Sequence, residues 1–348
     1  MTGVPKVPAH ASPAGPPPLA LTMGEPAGIG GELSLAAWLR RAELPPGVSF
    51  AVLDDPGRLR RLAASLGWAV PIVEIPRPEH APARFSEGLP VLALRTPVDA
   101  EPGRPSPATA AAVLESIDRA VALARAGTCA AVVTNPIQKK ALYEAGFQHP
   151  GHTEYLADLA GGDVTPVMML AIEGLRVVPA TVHIPLADVP AALTVDRLVT
   201  VGRIVLTSLV HDFGCPMPRL AVAGLNPHAG EAGSMGQEDR EVIVPAIAAL
   251  QGERHSQVSG PYPADTLFHP RARAGYDAAL CMYHDQALIP VKTLDFDRGV
   301  NITLGLPFVR TSPDHGTALD IAGRGIANAD SLMAAIGQAW RIAAVRAR

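Results

Sequence analysis

Residues 106–146 read SPATAAAVLESIDRAVALARAGTCAAVVTNPIQKKALYEAG. Ser106 stands where a helix cap belongs, the alanine-rich run after it carries apolar residues at helical spacing, and Gly127 stands where such a helix stops. CAAVVT, from Cys129 to Thr134, is then a continuous apolar run of strand length. NPIQKKALYEAG follows as a turn entering the next helix. Helix, buried strand, turn and helix form the repeating unit of a mostly parallel sheet, and the same alternation continues along the chain. The fold class expected is α/β.

Composition bounds the function. At 348 residues the chain is long enough for two domains, or for one large α/β domain with a lobe. Hydrophobic residues make up 48% and charged residues 18%, with a formal net charge of -4, so no cationic excess points to nucleic acid. Cys129, Cys215 and Cys281 are scattered and form no CxxC pair, which argues against a disulfide framework or a thiolate zinc site and suits the reducing cytoplasm. The opening MTGVPKVPAHASPAGPPP has no apolar core of a secretory signal and reads as a disordered tail over residues 1–18. The most apolar stretch, Pro166 to Leu193, is broken by Glu173, Arg176 and several prolines, so no membrane span is expected.

Open α/β sheets place ligands beyond the carboxyl ends of their strands. His183 follows RVVPATV, His228 follows LAVAGLNP and His284 follows AALCMY, each just past a short apolar run. Three neutral imidazoles converging with an open position suit a divalent transition metal, zinc by default. They form no local metal motif, and a single histidine after a strand is more often a loop residue than a ligand. On the residues alone the trio is a candidate set. GEPAGIGGE, residues 24–32, offers backbone N–H groups to an anion, although a tight strand-to-helix turn lining a cleft is the simpler reading.

Longer words surround these histidines: TMGEPAGIGGE from residue 22, PGHTEYLADL from 150, MMLAIEGLRVVPATVHIPL from 168, GLNPHAGEAGSMGQED from 224 and GPYPADT from 260. MYHDQALIPVKTLDFDRGVNITLGLPFVRTSPDHGTALDIAGRG then fills 282–325. From about residue 19 to the C-terminus, in order and spacing, the chain resembles the 4-hydroxythreonine-4-phosphate dehydrogenase family. The resemblance implies a two-domain fold of the isocitrate/isopropylmalate dehydrogenase type, with a mostly parallel sheet core and an active site in the interdomain cleft. It implies a homodimer whose active site draws on both subunits, and a metal (zinc, or magnesium or cobalt) on His183, His228 and His284. Substrate contacts are implied at His152, Thr153, Lys292, Asn301 and Arg310. HGTALDIAGRGIAN is similar to the adenosine-binding loop of isopropylmalate dehydrogenases, which implies NAD or NADP with contacts at His315, Asp320 and Gly323. The expected layout is a tail over 1–18, a cofactor-side lobe over 19–145 plus 292–348, and a metal-binding and dimerisation lobe over 146–291. Two positions depart from the family pattern: Gly31 stands where Pro is common, and Asn135 where a small residue is common.

The implied reaction is metal- and NAD(P)-dependent oxidation of 4-phosphohydroxy-L-threonine to a 3-oxo acid that decarboxylates to 3-amino-2-oxopropyl phosphate, within vitamin B6 synthesis. The substrate-binding set suits an anionic substrate, since Arg offers a fork of donors, Lys a mobile charge, and Asn and Thr neutral bonds. A proton acceptor is also needed, and Asp285, Asp265 and His152 are unranked candidates. Relatives acting on threonate or erythronate 4-phosphate, or on a terephthalate-derived cis-dihydrodiol, share the framework. A non-catalytic scaffold would predict loss of a ligand histidine or clamp residue, and none is missing.

Overall fold

The apolar runs do become strands. A computed structural model of the chain describes residues 16–162, 164–253 and 256–348. Its strands are β1 (Leu19–Thr22), β2 (Phe50–Asp54), β3 (Ile72–Glu74), β4 (Leu89–Ala93), β5 (Val132–Val133) and β6 (Val167–Ile172). β7 (Leu175–Pro179), β8 (Arg219–Ala223), β9 (Gln257–Tyr262), β10 (Ala278–Cys281), β11 (Val300–Leu304) and β12 (Arg310–Pro313) complete one sheet. Their order is β3-β4-β2-β1-β5-β12-β11-β6-β7-β10-β8-β9. The six strands from β3 to β12 are mutually parallel, as are β7, β10, β8 and β9. Between them lie three antiparallel contacts, β12–β11, β11–β6 and β6–β7, so the two parallel groups run in opposite directions.

Both faces of this sheet are covered, as parallel strands require. Leu19 and Leu21 on β1 join one apolar cluster while Ala20 joins another, the alternation the pleat dictates. The first cluster lies under the helices Gly30–Leu39, Val195–His211 and Asp330–Arg346 and spans both groups of strands. A second, under Ala110–Arg125, also takes Leu156 and Ala160 of the helix His152–Ala160. A third packs the helix His284–Leu294 on Leu170, Val177, Ala221 and Ala279.

The opening segment folds as its pattern predicts, with shifted ends. Ser106 caps a short 3-10 turn, Pro107–Thr109, and the α-helix runs from Ala110 to Arg125, burying Val113, Ile117, Ala120 and Val121 at helical spacing. Gly127 adopts a φ of 72° and turns the chain back. Only Val132 and Val133 count as strand, because the flanks pair elsewhere: Ala130 N–H donates to Pro18 O, and Thr134 N–H to Thr311 O. Pro18, the last residue of the tail expected over 1–18, is therefore buried at the start of β1, whereas residues 1–15 of that tail lie outside the described residues. Among the described residues no helix is long and apolar enough to cross a membrane.

Ser116 joins this helix to two strand ends. Its fully buried hydroxyl accepts from Met23 N–H at 2.9 Å and donates to Leu53 O at 2.8 Å. Ser116→Ala leaves a buried N–H and C=O without that partner, so the protein should lose about 1–3 kcal/mol, read as a lower midpoint in urea unfolding.

Candidate active site

Adjacent parallel strands deliver neighbouring loops to one edge. β7, β10 and β8 are neighbours in that order, and His183, His284 and His228 lie just beyond their carboxyl ends. Side chains stitch the loops together. Thr181 Oγ1 donates to Met282 O at 2.8 Å, Gln286 Oε1 accepts from Met282 N–H at 2.6 Å, and Gln286 Nε2 donates to Gly224 O at 2.7 Å. The His183 and His284 rings stand 5.9 Å apart. His284 Nδ1 lies 2.7 Å from Asp285 Oδ1, which leaves Nε2 as its free donor atom. Within one chain, no three His, Cys, Asp or Glu side chains among the described residues gather as a metal-holding group. His228 is exposed.

His228 opens an unusual segment. Residues 228–232 all have positive φ, between 41° and 77°, and four of them carry a Cβ. A left-handed turn costs such residues roughly 1–2 kcal/mol each, so other bonds must hold it. Asp239 anchors the chain just before it: its buried carboxylate accepts from Leu225 N–H at 2.9 Å, Asn226 N–H at 3.2 Å and Asn226 Nδ2 at 2.9 Å. Asp265 sits exposed on the helical turn Ala264–Leu267, which packs against this segment.

A second group of residues gathers on the sheet face opposite the helix Asp330–Arg346. Thr311 Oγ1 donates to Ala335 O of that helix, so its neighbour Arg310 points to the other side. Arg310 is 4% exposed, and its fork donates only to hydroxyls: Thr134 Oγ1 at 2.7 and 3.2 Å and Thr303 Oγ1 at 2.9 Å. Among the described residues no carboxylate pairs with it. Burial brings its pKa down to about 10. His152, at the start of its helix, is close enough to Arg310 to feel its charge; burial first and Arg310 second hold its imidazole well below the ordinary range. Its Nε2 is buried without a hydrogen-bond partner. Thr153 follows it, and Asn301 lies on the same face of β11 as Thr303.

Lys292, in the last turn of the helix that His284 opens, pairs with Asp314 at 2.8 Å. Asp314 leads into the loop of His315, Asp320 and Gly323. His315 Nδ1 lies 3.0 Å from Gly316 O, and its Nε2 is buried and unpartnered. Glu32, buried in the helix after GEPAGIG, accepts from the N–H groups of Gly323 and Gly325, and Ile29 N–H donates to Thr317 O. The glycine-rich turn thus braces this loop, and its own glycines fill tight space: a Cβ on Gly28 would sit 2.8 Å from Thr317 O. Asn135 is fully buried beneath the same turn, with Nδ2 donating to Thr22 O and Ser34 Oγ. Gly31 packs against Arg58 and Leu62 with no room for a larger residue unless they shift.

The chain has characterised relatives. The family described as pyridoxal phosphate biosynthetic protein PdxA matches residues 48–339. The chain belongs to the PdxA family. Curated 4-hydroxythreonine-4-phosphate dehydrogenases of Methylorubrum populi and Bradyrhizobium diazoefficiens are 55% and 52% identical to it over 334 and 339 residues. These matches cover 94% of this chain each, and 94% and 98% of the relatives. A crystal structure of the Klebsiella pneumoniae enzyme of that name superposes with a TM-score of 0.84 at 40% identity, over 94% of this chain and 99% of that one. A terephthalate 1,2-cis-dihydrodiol dehydrogenase from Burkholderia xenovorans is more distant, with a TM-score of 0.64 at 27% identity over 93% and 97% of the two chains. For this PdxA chain the sequence reading had passed over Thr134, Thr303, Thr181, Gln286, Asp239 and Glu32. Thr303 was within reach, because period-two alternation puts it on the Asn301 face.

The two half-buried histidines with buried Nε2 atoms carry a pH signature. In the folded chain His152 and His315 lie below their ordinary value of 6.5, so the unfolded chain takes up protons first as pH falls. Their stabilising contribution is complete above about pH 6.5 and is lost below it. Unfolding midpoints should drop between about pH 7 and pH 5.5, and His152→Gln should flatten that slope; an unchanged slope would contradict the assignment.

Proposed function

We propose that this enzyme oxidises 4-phosphohydroxy-L-threonine with NAD or NADP to a 3-oxo acid, which loses carbon dioxide to give 3-amino-2-oxopropyl phosphate in pyridoxal phosphate synthesis. The observation that carries the reading is Arg310. A guanidinium closed into the protein with only hydroxyl partners is a charge prepared for an anion, and the proposed substrate brings a phosphate and a carboxylate. Lys292 and Asn301 extend the clamp, and His152 with Thr153 closes it. The 55% and 52% identity to curated enzymes named for this activity supports the substrate.

His183, His228 and His284 form the proposed metal set. Their imidazole chemistry fits a divalent transition metal, zinc first and cobalt next, whereas magnesium, the third alternative, would need oxygen ligands in addition. Among the described residues of a single chain the His183 and His284 rings stand 5.9 Å apart and no three such side chains gather as a metal-holding group, which supports a site completed by a second subunit. Apolar side chains beside the histidines support the same homodimer: Leu186 is 68% and Ile289 63% exposed. When bound, the metal would supply Lewis acidity at the substrate hydroxyl and the nicotinamide would supply a hydride acceptor.

The chain's own work is to orient and to move a proton. Arg310 and Lys292 fix the anionic ends, Asn301 and Thr153 set the rotation between them, and His152, with an unpartnered Nε2, is a candidate proton acceptor alongside Asp265, although burial and then Arg310 disfavour its protonated form. Asp285 is occupied with His284, a supporting position. His315, Asp320 and Gly323 are the proposed cofactor contacts, on the loop that Glu32 braces. The proposed lobes are 19–145 plus 292–348 on the cofactor side and 146–291 on the metal side, with the helix His152–Ala160 packing on the first. Three free cysteines support a reducing cytoplasmic setting.

A coupled assay decides the reaction. NAD(P)H should form from 4-phosphohydroxy-L-threonine, vanish after chelation, return with zinc, magnesium or cobalt, and be lost in His228→Ala together with bound metal. Turnover of threonate 4-phosphate or the dihydrodiol in its place would move the enzyme to those substrates. Arg310→Met should cut kcat/KM by about 10- to 100-fold or more, from the loss of a charge-assisted bond, and Lys should restore only part of it.

A further inference from the structure

The three strands that carry the histidines have a second charged group at their other ends. Arg176 is the second residue of β7, Arg219 the first of β8, and Asp277 immediately precedes β10. With Arg273 and Tyr276 they line a cavity of about 400 Å³. At about 3.3 Å per residue, strands of four and five residues put it about 15 Å from the histidine loops.

The charges there do not balance. Asp277 is taken by Arg219, with Nη2 to Oδ1 at 2.8 Å and Nε to Oδ2 at 3.3 Å. Arg176 stacks on Phe213, its carbon 4.5 Å from the ring centre, and donates to the Asp277 carbonyl at 3.1 Å. Neither Arg176 nor Arg273 has a carboxylate partner among the described residues. Arg273 Nε is also buried with no hydrogen-bond partner. Three guanidiniums against one carboxylate leave two positive charges, in a chain whose net charge is -4. Sequestered donors of this kind cost free energy until an acceptor arrives.

We propose that this cavity binds the phosphate group of a small molecule, with Arg273 and Arg176 as its donors, at a site separate from the one that holds substrate. A dianion matches the two uncompensated charges, and the guanidinium fork matches phosphate oxygens. The ligand is inorganic phosphate or a small phosphomonoester, both of which present that group.

Calorimetric titration of the full-length Arg310→Met protein with inorganic phosphate, and separately with glycerol 3-phosphate, tests this with the active-site clamp silenced. One saturable site per chain is expected, weakened at least tenfold when Arg273→Met is added, while Arg273→Met alone keeps turnover within twofold of wild type. Arg273→Gln, with circular dichroism as a folding control, guards against a collapsed variant. Tighter binding of glycerol 3-phosphate assigns the ligand as a phosphomonoester, and equal binding assigns it as free phosphate. The proposal fails if no saturable binding survives in Arg310→Met, if Arg273→Met leaves it unchanged, or if chloride at equal ionic strength reproduces the signal.

Discussion

A guanidinium shut into a sheet with no counter-charge is expensive, and the centre of this protein is arranged around tolerating one. Arg310 leaves β12, and its donors are received by hydroxyls on either side, from Thr134 just past β5 and Thr303 on β11. Neutral hydroxyls satisfy hydrogen bonds without cancelling charge. The field therefore remains available, and it is felt at once by His152, which stays neutral beside it. Replacing either threonine by an acid would quiet the arginine and fill its place with an internal ion pair. The choice of Thr134 and Thr303 is thus as much a part of the site as Arg310.

The second organising element is the helix His284–Leu294. It begins at the carboxyl end of β10, among the histidine loops, and returns to place Lys292 against Asp314 beyond β12. Eight residues of helix are about 12 Å, so its length fixes the separation between the His284 region and the loop of His315. Gln286 ties its first turn to Gly224, and Ala287, Leu288 and Val291 bury its inner face. Two strand groups of opposite direction are joined across the sheet by a rigid spacer as well as by hydrogen bonds.

How much of this was legible depended on the range of the interaction. Strand and helix identity came from local patterns, and the segment around Ala110–Arg125 was read correctly because caps, periodicity and a stop residue all agreed. The placement of histidines after strands was legible for the same reason. The three antiparallel junctions in the middle of the sheet were not, since the expectation of a mostly parallel sheet says nothing about where direction reverses. Contacts such as Ser116 to Met23, Arg310 to Thr134 and Glu32 to Gly323 join residues far apart in sequence, and no spacing rule relates them. Family resemblance pointed to Arg310 but not to the hydroxyls that hold it, and gave no hint that Asn135 lies buried beneath the glycine-rich turn.

The left-handed segment at residues 228–232 narrows what evolution can write there. Ala229 and Ala232 already use the smallest side chain that has a Cβ, at φ values of 52° and 56°. Glycine or asparagine would enter those positions readily, whereas valine, isoleucine or threonine would be driven out of that conformation. The loop's mutational latitude is therefore one-sided: drift toward glycine relaxes the backbone but widens the directions in which His228 can point, and drift the other way destroys the turn. Sequence variation at these two alanines should follow backbone conformation more closely than size, polarity or charge.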